Sequence, residues 1–330
     1  MRYTFIAIVF ALFVKTSTAQ VPLNSIVEHF TNTKCGNCTS RNPGFYTNLN
    51  SKPAIFHLSI HPSSPYAACQ LSQQNKVDND SRTNYYGVYG ATPRLVINGN
   101  VIAEGANYSS ASLLTPYTGL TSSFQLKVTQ FLVSPDSIRS TVIIKKVASS
   151  TASNTSLFIG LVEDTIAFNG GNGEPKHYNV LRKSVSTSTG IAVVLPTAID
   201  DSIIIIRTSF IKPIWNKNRM YTLAILQDMA KKVLQSNKSM VLSSVTGIED
   251  LSAREIFQVY PNPTTDIITI SMTEKTPFAF EIFDIAGKMV KSGQMEGNIS
   301  VNVSSLKNGF YAVRVFNSNT SGKSVFSIQK

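Results

Sequence analysis

Cysteine is scarce in this chain of 330 residues, which has three (Cys35, Cys38 and Cys69) beside a single tryptophan and four histidines. So few thiols exclude a small scaffold held together by many disulfides; at most one pair can close, leaving one thiol over. Charged residues make up only 15% of the sequence, and the formal charge of +11 comes from Lys and Arg scattered without a basic stripe or interleaved aromatics. Nucleic acid is therefore not expected as a partner. G-x-S-x-G, H-E-x-x-H and paired-carboxylate motifs are absent, which leaves a hydrolase without a sequence basis. No apolar run after Val14 is long enough to cross a bilayer; even residues 203–206 are flanked by Asp201 and Arg207.

At the N-terminus, Arg2 precedes an apolar run from Phe5 to Val14, followed by Thr16-Ser17-Thr18-Ala19. This is the pattern of a signal peptide, with residues 1–19 removed by a cut near Ala19. Abundant Ser, Thr, Asn, Val and Ile then suit an extracellular, β-rich protein.

Residues 25–30 read as a strand leading to Cys35-Gly36-Asn37-Cys38, where a helix should begin; Pro43 and Gly44 should kink or shorten it. Residues 54–60 read as a second strand and 66–86 as a helix, and Asn98-Gly99 as the turn of a hairpin. From about Ser122 repeated strands suggest an immunoglobulin-like β-sandwich over residues 121–244. The glycine-rich stretch 169–178 is expected to be a flexible connection between two of its strands. Residues 245–256 read as a linker, and 257–330 as a small third β domain.

The C-x-x-C pair carries the chemistry. At a helix N-terminus, unsatisfied N–H groups and the helix dipole stabilise Cys35 as a thiolate, and Lys34 adds a positive charge beside it. Cys38, one turn on, is placed to attack a mixed disulfide and release the substrate. Two other uses of the spacing are an inert bridge and half of a zinc site. For zinc, Cys69, His57 and His61 are available donors, but a second C-x-x-C or an H-x-x-x-H is missing, so no metal and no cofactor are expected.

The strand, the C-x-x-C and the later Thr92-Pro93 together resemble the thioredoxin fold over about residues 24–120. The resemblance implies an α/β domain spanning 20–120, with Pro93 as a cis-proline and the backbone of Thr92 offered to a substrate strand. His29 stands where that fold keeps a buried acid, and Lys34 replaces its usual tryptophan. The three-part layout resembles the thioredoxin-like family related to a twenty-eight-kilodalton outer-membrane protein, through residues 27–31, the cysteine pair and residues 221–228. Cys69 is expected to be a small buried apolar residue.

The last domain carries Tyr260-Pro261-Asn262-Pro263, then Phe283-Asp284-Ile285-Ala286-Gly287-Lys288, then Leu306-Lys307-Asn308-Gly309-Phe310-Tyr311. These blocks resemble the type A sorting domain of type IX (Por) secretion. That implies passage through the periplasm to the cell surface or beyond, recognition by the secretion machinery through residues 257–330, and anchoring to surface lipopolysaccharide or release. The expected fold class is thus multidomain, an α/β thioredoxin-like domain followed by an immunoglobulin-like β-sandwich and a small β-sandwich sorting domain. Two functions fit the sequence. One is thiol–disulfide exchange on exported proteins through Cys35 and Cys38, with Thr92 and Pro93 binding the substrate; the other is a non-catalytic surface protein, adhesive or structural, with a static disulfide.

Overall fold

The computed structural model describes residues 20–241, 257–272, 277–285, 287–317 and 321–330; the signal peptide and the linker read from the sequence lie outside these. Near the N-terminus, strand β1 (Ile26–Phe30) is buried along its whole length and pairs in parallel with β2 (Phe56–Ile60) and antiparallel with β3 (Arg94–Ile97). Parallel strands need a long crossover. Helix α1 (Gly36–Asn50) supplies it, burying Phe45 and Leu49 against Val27, Leu95 and Ile97. Pro43 lies inside α1 and does not end it; the residues beyond it are fixed by that core, and Gly44 passes so near Ser109 that a Cβ would stand 1.9 Å from its Oγ. The hairpin tip forms as expected from Asn98-Gly99, with both residues at positive φ, 48° and 89°.

The middle of the chain does not form a separate unit. Strands β4 (Thr155–Ala167), β5 (Lys176–Ser184), β6 (Met220–Gln227) and β7 (Val233–Lys238) continue the same sheet. Its order is β7-β6-β4-β5-β2-β1-β3, ending on a short strand Asn100–Val101, with Ile191–Val193 also paired to β4. The seam is the parallel pair β5 and β2, where Val180 faces Ser59. One core runs beneath it, with Phe30, Leu58 and Ile60 packed among Phe158, Leu181 and Tyr221. Burying a core residue of this size fully contributes about 1.5–3 kcal/mol.

The expected fold class is therefore corrected. The described residues are 47% strand and 14% helix, and no distinct α/β thioredoxin-like domain stands apart from a sandwich; the chain is a multidomain, β-rich fold. The physical reason is the edge of β2. A three-stranded unit ending there would leave the outer edge of β2 unpaired and Leu58 and Ile60 without Leu181 beside them; β5 pairs that edge at Ser59 and brings Leu181 into the core.

A three-stranded antiparallel sheet of Phe124–Ser134, Ser137–Lys146 and Ser202–Phe210 packs across β4 and β6 through Leu126, Val142, Ile144, Leu157 and Ala224. In the tail, two antiparallel sheets of three and four strands enclose a core that includes Ile268, Ile270, Phe280, Val313 and Phe326.

Candidate functional site at the cysteine turn

All four of the sequence-read site residues come together where the turn between β1 and α1 meets the loop before β3. Cys35 is the N-cap of α1, in extended conformation (φ −87°, ψ 111°), and its Sγ accepts the backbone N–H of Cys38 at 3.1 Å. A sulfur so placed satisfies one of the donors that a helix start leaves free. On its other side Cys35 Sγ lies 3.3 Å from the carbonyl oxygen of Thr92, and the Thr92–Pro93 peptide is cis. Pro93 is fixed from behind, its carbonyl accepting from the Tyr108 hydroxyl at 3.0 Å.

The two thiols differ sharply. A hydrogen bond from the Cys38 thiol, outweighing burial, draws Cys35 down to about 6. Burial, followed by that same bond, pushes Cys38 far up. Cys35 is therefore the more acidic thiol of the pair and Cys38 the one that keeps its proton. Hydrogen bonds, that of the Cys38 backbone N–H among them, carry this asymmetry, while the Lys34 charge that the sequence adds to them is not among its causes; the Lys34 side chain turns onto Gly171, where a Cβ would meet its Nζ at 2.4 Å.

All three cysteines are free thiols here, and all are buried. Cys35 and Cys38 each show 0% exposure, although Lys34, Gly36 and Asn37 around them are exposed. Access to Cys35 Sγ thus requires the Thr92 contact to open. Cys69 sits apart in a small apolar cluster with Leu71 and Val180 and accepts from Thr33 Oγ1 at 3.3 Å.

The four histidines, spread over the sequence, gather beside the turn. His57 Nε2 lies 3.4 Å from His29 Nδ1, and the rings of His61 and His177 are 6.0 Å apart. Burial keeps His29 and His61 well below the ordinary histidine range and brings His57 to about 3, so they are neutral at physiological pH. Among the described residues no group of three or more His, Cys, Asp or Glu is arranged to hold a metal ion.

The residues that sequence reasoning missed come from far along the chain. The stretch read as a flexible connection, between β4 and β5, is packed onto the cysteine turn. Asn172 donates from Nδ2 to the Cys35 carbonyl at 3.1 Å and from its backbone N to the Thr33 carbonyl at 2.9 Å, and accepts from Thr39 Oγ1 at 2.7 Å. Glu174 receives Asn172 Nδ2 at 2.6 Å on one oxygen and Asn42 Nδ2 at 2.8 Å on the other. The only local signal was Gly170-Gly171, whose missing side chains let Thr33 and Lys34 approach.

Comparison with known proteins bears on the tail and on the overall fold. Residues 258–329 match the family described as "Secretion system C-terminal sorting domain". No curated protein matches the chain. Of solved structures, HBP35 of Porphyromonas gingivalis is 16% identical with a TM-score of 0.57, over 93% of this chain and 99% of that one; this likeness is one of fold. A protein of Agrobacterium tumefaciens is 13% identical with a TM-score of 0.42, over 70% of this chain and 100% of that one. A domain of the outer membrane lipoprotein Omp28 from Porphyromonas gingivalis is 16% identical with a TM-score of 0.27, over 36% of this chain and 86% of that one. The chain thus ends in a sorting domain of the kind the type IX secretion machinery recognises, and it is a secreted or cell-surface protein.

Proposed function

We propose that this protein, after crossing the periplasm and reaching the outer surface of the cell, exchanges thiols and disulfides with other exported proteins through Cys35 and Cys38. The observation that carries the reading is the asymmetry of the two sulfurs at the start of α1, Cys35 accepting the Cys38 N–H and drawn toward the thiolate while burial holds the proton on Cys38. Cys35 S⁻ attacks a substrate disulfide, forming a mixed disulfide and expelling one substrate sulfur as thiolate. Bonding Cys35 removes its hydrogen bond and its charge, which raise Cys38 beside burial. Cys38 then passes its proton to the expelled thiolate, attacks Cys35 Sγ, closes the Cys35–Cys38 bridge and expels the second substrate sulfur as thiolate. Two electrons pass from the pair to the substrate; the reverse sequence oxidises a dithiol. Thr92 and Pro93 bind the incoming chain where the Thr92 carbonyl now meets Cys35. Kinship with the thioredoxin-like group related to the twenty-eight-kilodalton outer-membrane protein rests on this turn and this loop, and retention by surface lipopolysaccharide rests on the tail.

A second reading has its own support. Both sulfurs are fully buried, as suits a non-catalytic surface protein whose cysteines only stabilise the turn. The two separate on one assay, disulfide exchange between the full chain and a chromogenic disulfide. Exchange that Cys35→Ser abolishes supports the first reading. Exchange retained in that variant, or none in the parent, supports the second.

A further inference from the structure

We propose that Glu174, brought in by the β4–β5 connection, is a positioning residue for the cysteine pair. This inference deepens the exchange reading and rests on it.

The carboxylate stands where two amides converge. Asn42, one turn beyond Cys38 on α1, gives one Nδ2 hydrogen to Glu174 and the other to Thr31 Oγ1, at 2.8 and 3.0 Å. An amide nitrogen only donates, so the Thr31 oxygen must accept, which leaves the Thr31 hydroxyl proton free to point elsewhere. The influence of that hydroxyl on Cys38 is in the sense that favours the thiolate. On the other oxygen Glu174 holds Asn172, whose amide also reaches the Cys35 carbonyl. One side chain therefore orients the donor that serves the resolving sulfur and tethers the backbone of the attacking one.

The charge of Glu174 acts in the opposite sense on Cys35, raising its pKa against the hydrogen bonds that lower it. The other titratable groups close to the turn are Cys38, Arg41 and Tyr46 on α1, Lys34 before it, Tyr108 behind Pro93, His177 and Tyr178 on β5, and the buried His29, His57 and His61. Arg41 is occupied with the carbonyls of Glu104 and Ala106 and lies over the Tyr108 ring, and burial keeps His177 neutral at physiological pH. Glu174 is thus the one carboxylate among the groups that shift Cys35.

Glutamine and aspartate separate the two roles. In Glu174→Gln the charge is gone, and the new amide can accept from only one of its two partners while facing the other donor to donor. In Glu174→Asp the charge stays, but the shorter side chain no longer spans both amides.

The test is the rate of Cys35 alkylation by iodoacetamide against pH in the reduced full chain, read at the Cys35 peptide by mass spectrometry. The midpoint of the profile reports the thiolate and its plateau reports access. For Glu174→Gln the midpoint falls and the plateau rises about tenfold, the scale of one lost hydrogen bond that had kept the turn closed. For Glu174→Asp the plateau rises and the midpoint does not fall. Asn172→Ala, which keeps the carboxylate, behaves like the aspartate variant and serves if either substitution at 174 fails to fold. Release of glutathione from a mixed disulfide on Cys35 is slower in both Glu174 variants, because Asn42 no longer fixes the Thr31 hydroxyl whose influence favours the Cys38 thiolate. Profiles superimposable on the parent in all folded variants would overturn the proposal. If the parent fails to exchange disulfides but the profiles shift as stated, the exchange reading falls and the positioning role of Glu174 stands.

Discussion

The cysteine turn and the C-terminal tail hold together in different ways. In the tail, alternating strands fold back on neighbours close in sequence, and the core of Ile268, Phe280, Val313 and Phe326 is apolar. At the cysteine turn, residues 31–42 are held by side chains some 130 positions away, the amide of Asn172 and the carboxylate of Glu174. A locally closed core leaves its mark on a short stretch of sequence, which is why a family model matches residues 258–329. A site assembled across a sheet seam leaves no such mark.

The contrast should be visible in what mutations disturb. Arg82 bridges the seam: its guanidinium grips Glu28 of β1 through two bonds of 2.7 and 2.8 Å, and also reaches the Ser188 carbonyl and Gln227 of β6. Arg82→Ala strands a buried carboxylate and is expected to cost about 3–5 kcal/mol in urea unfolding, with Cys35 alkylation accelerated. Phe326→Ala, of similar cost at about 3–5 kcal/mol, should loosen the tail and leave Cys35 alkylation unchanged. Equal effects on Cys35 would show that the two regions are not independent.

The two regions also separate by pH. His29, His57 and His61 are neutral in the folded chain and take up protons near 6.5 once unfolded, so the unfolded state binds more protons as pH falls below 6.5. Stability is then full above that pH and is lost on acidification. Three groups at about 1.4 kcal/mol per unit each give a slope of roughly 4 kcal/mol per pH unit between about pH 6 and pH 4.5. The tail contains none of the four histidines. Urea unfolding against pH, followed by a probe in each region, should show the slope at the cysteine turn alone.

The same contrast sets how much could be read from the sequence. The period-two strands 267–272 and 278–284, the Asn98-Gly99 turn and the cysteine pair at a helix start were legible, because each depends on neighbours within a few residues. The pairing of β2 with β5 was not, since the buried run at 56–60 looks the same whether it is an edge strand or a central one. Residues 66–86 broke into two helices, Gln70–Gln74 and Lys76–Tyr85, because Asn75, at φ −153° and ψ 55°, leaves the helical region between them. The glycines at 170 and 171 read as slack when they mark close packing, a distinction visible only once Thr33 and Lys34 lie against them.

The most direct test is the redox equilibrium of Cys35 and Cys38 in the mature chain, titrated in glutathione buffers and read as the loss of two alkylatable thiols. Exchange chemistry predicts a reversible two-electron transition between about −120 and −270 mV, the span of known oxidoreductases. A bridge that stays closed below about −300 mV, as structural disulfides do, or a pair that never closes, would contradict it.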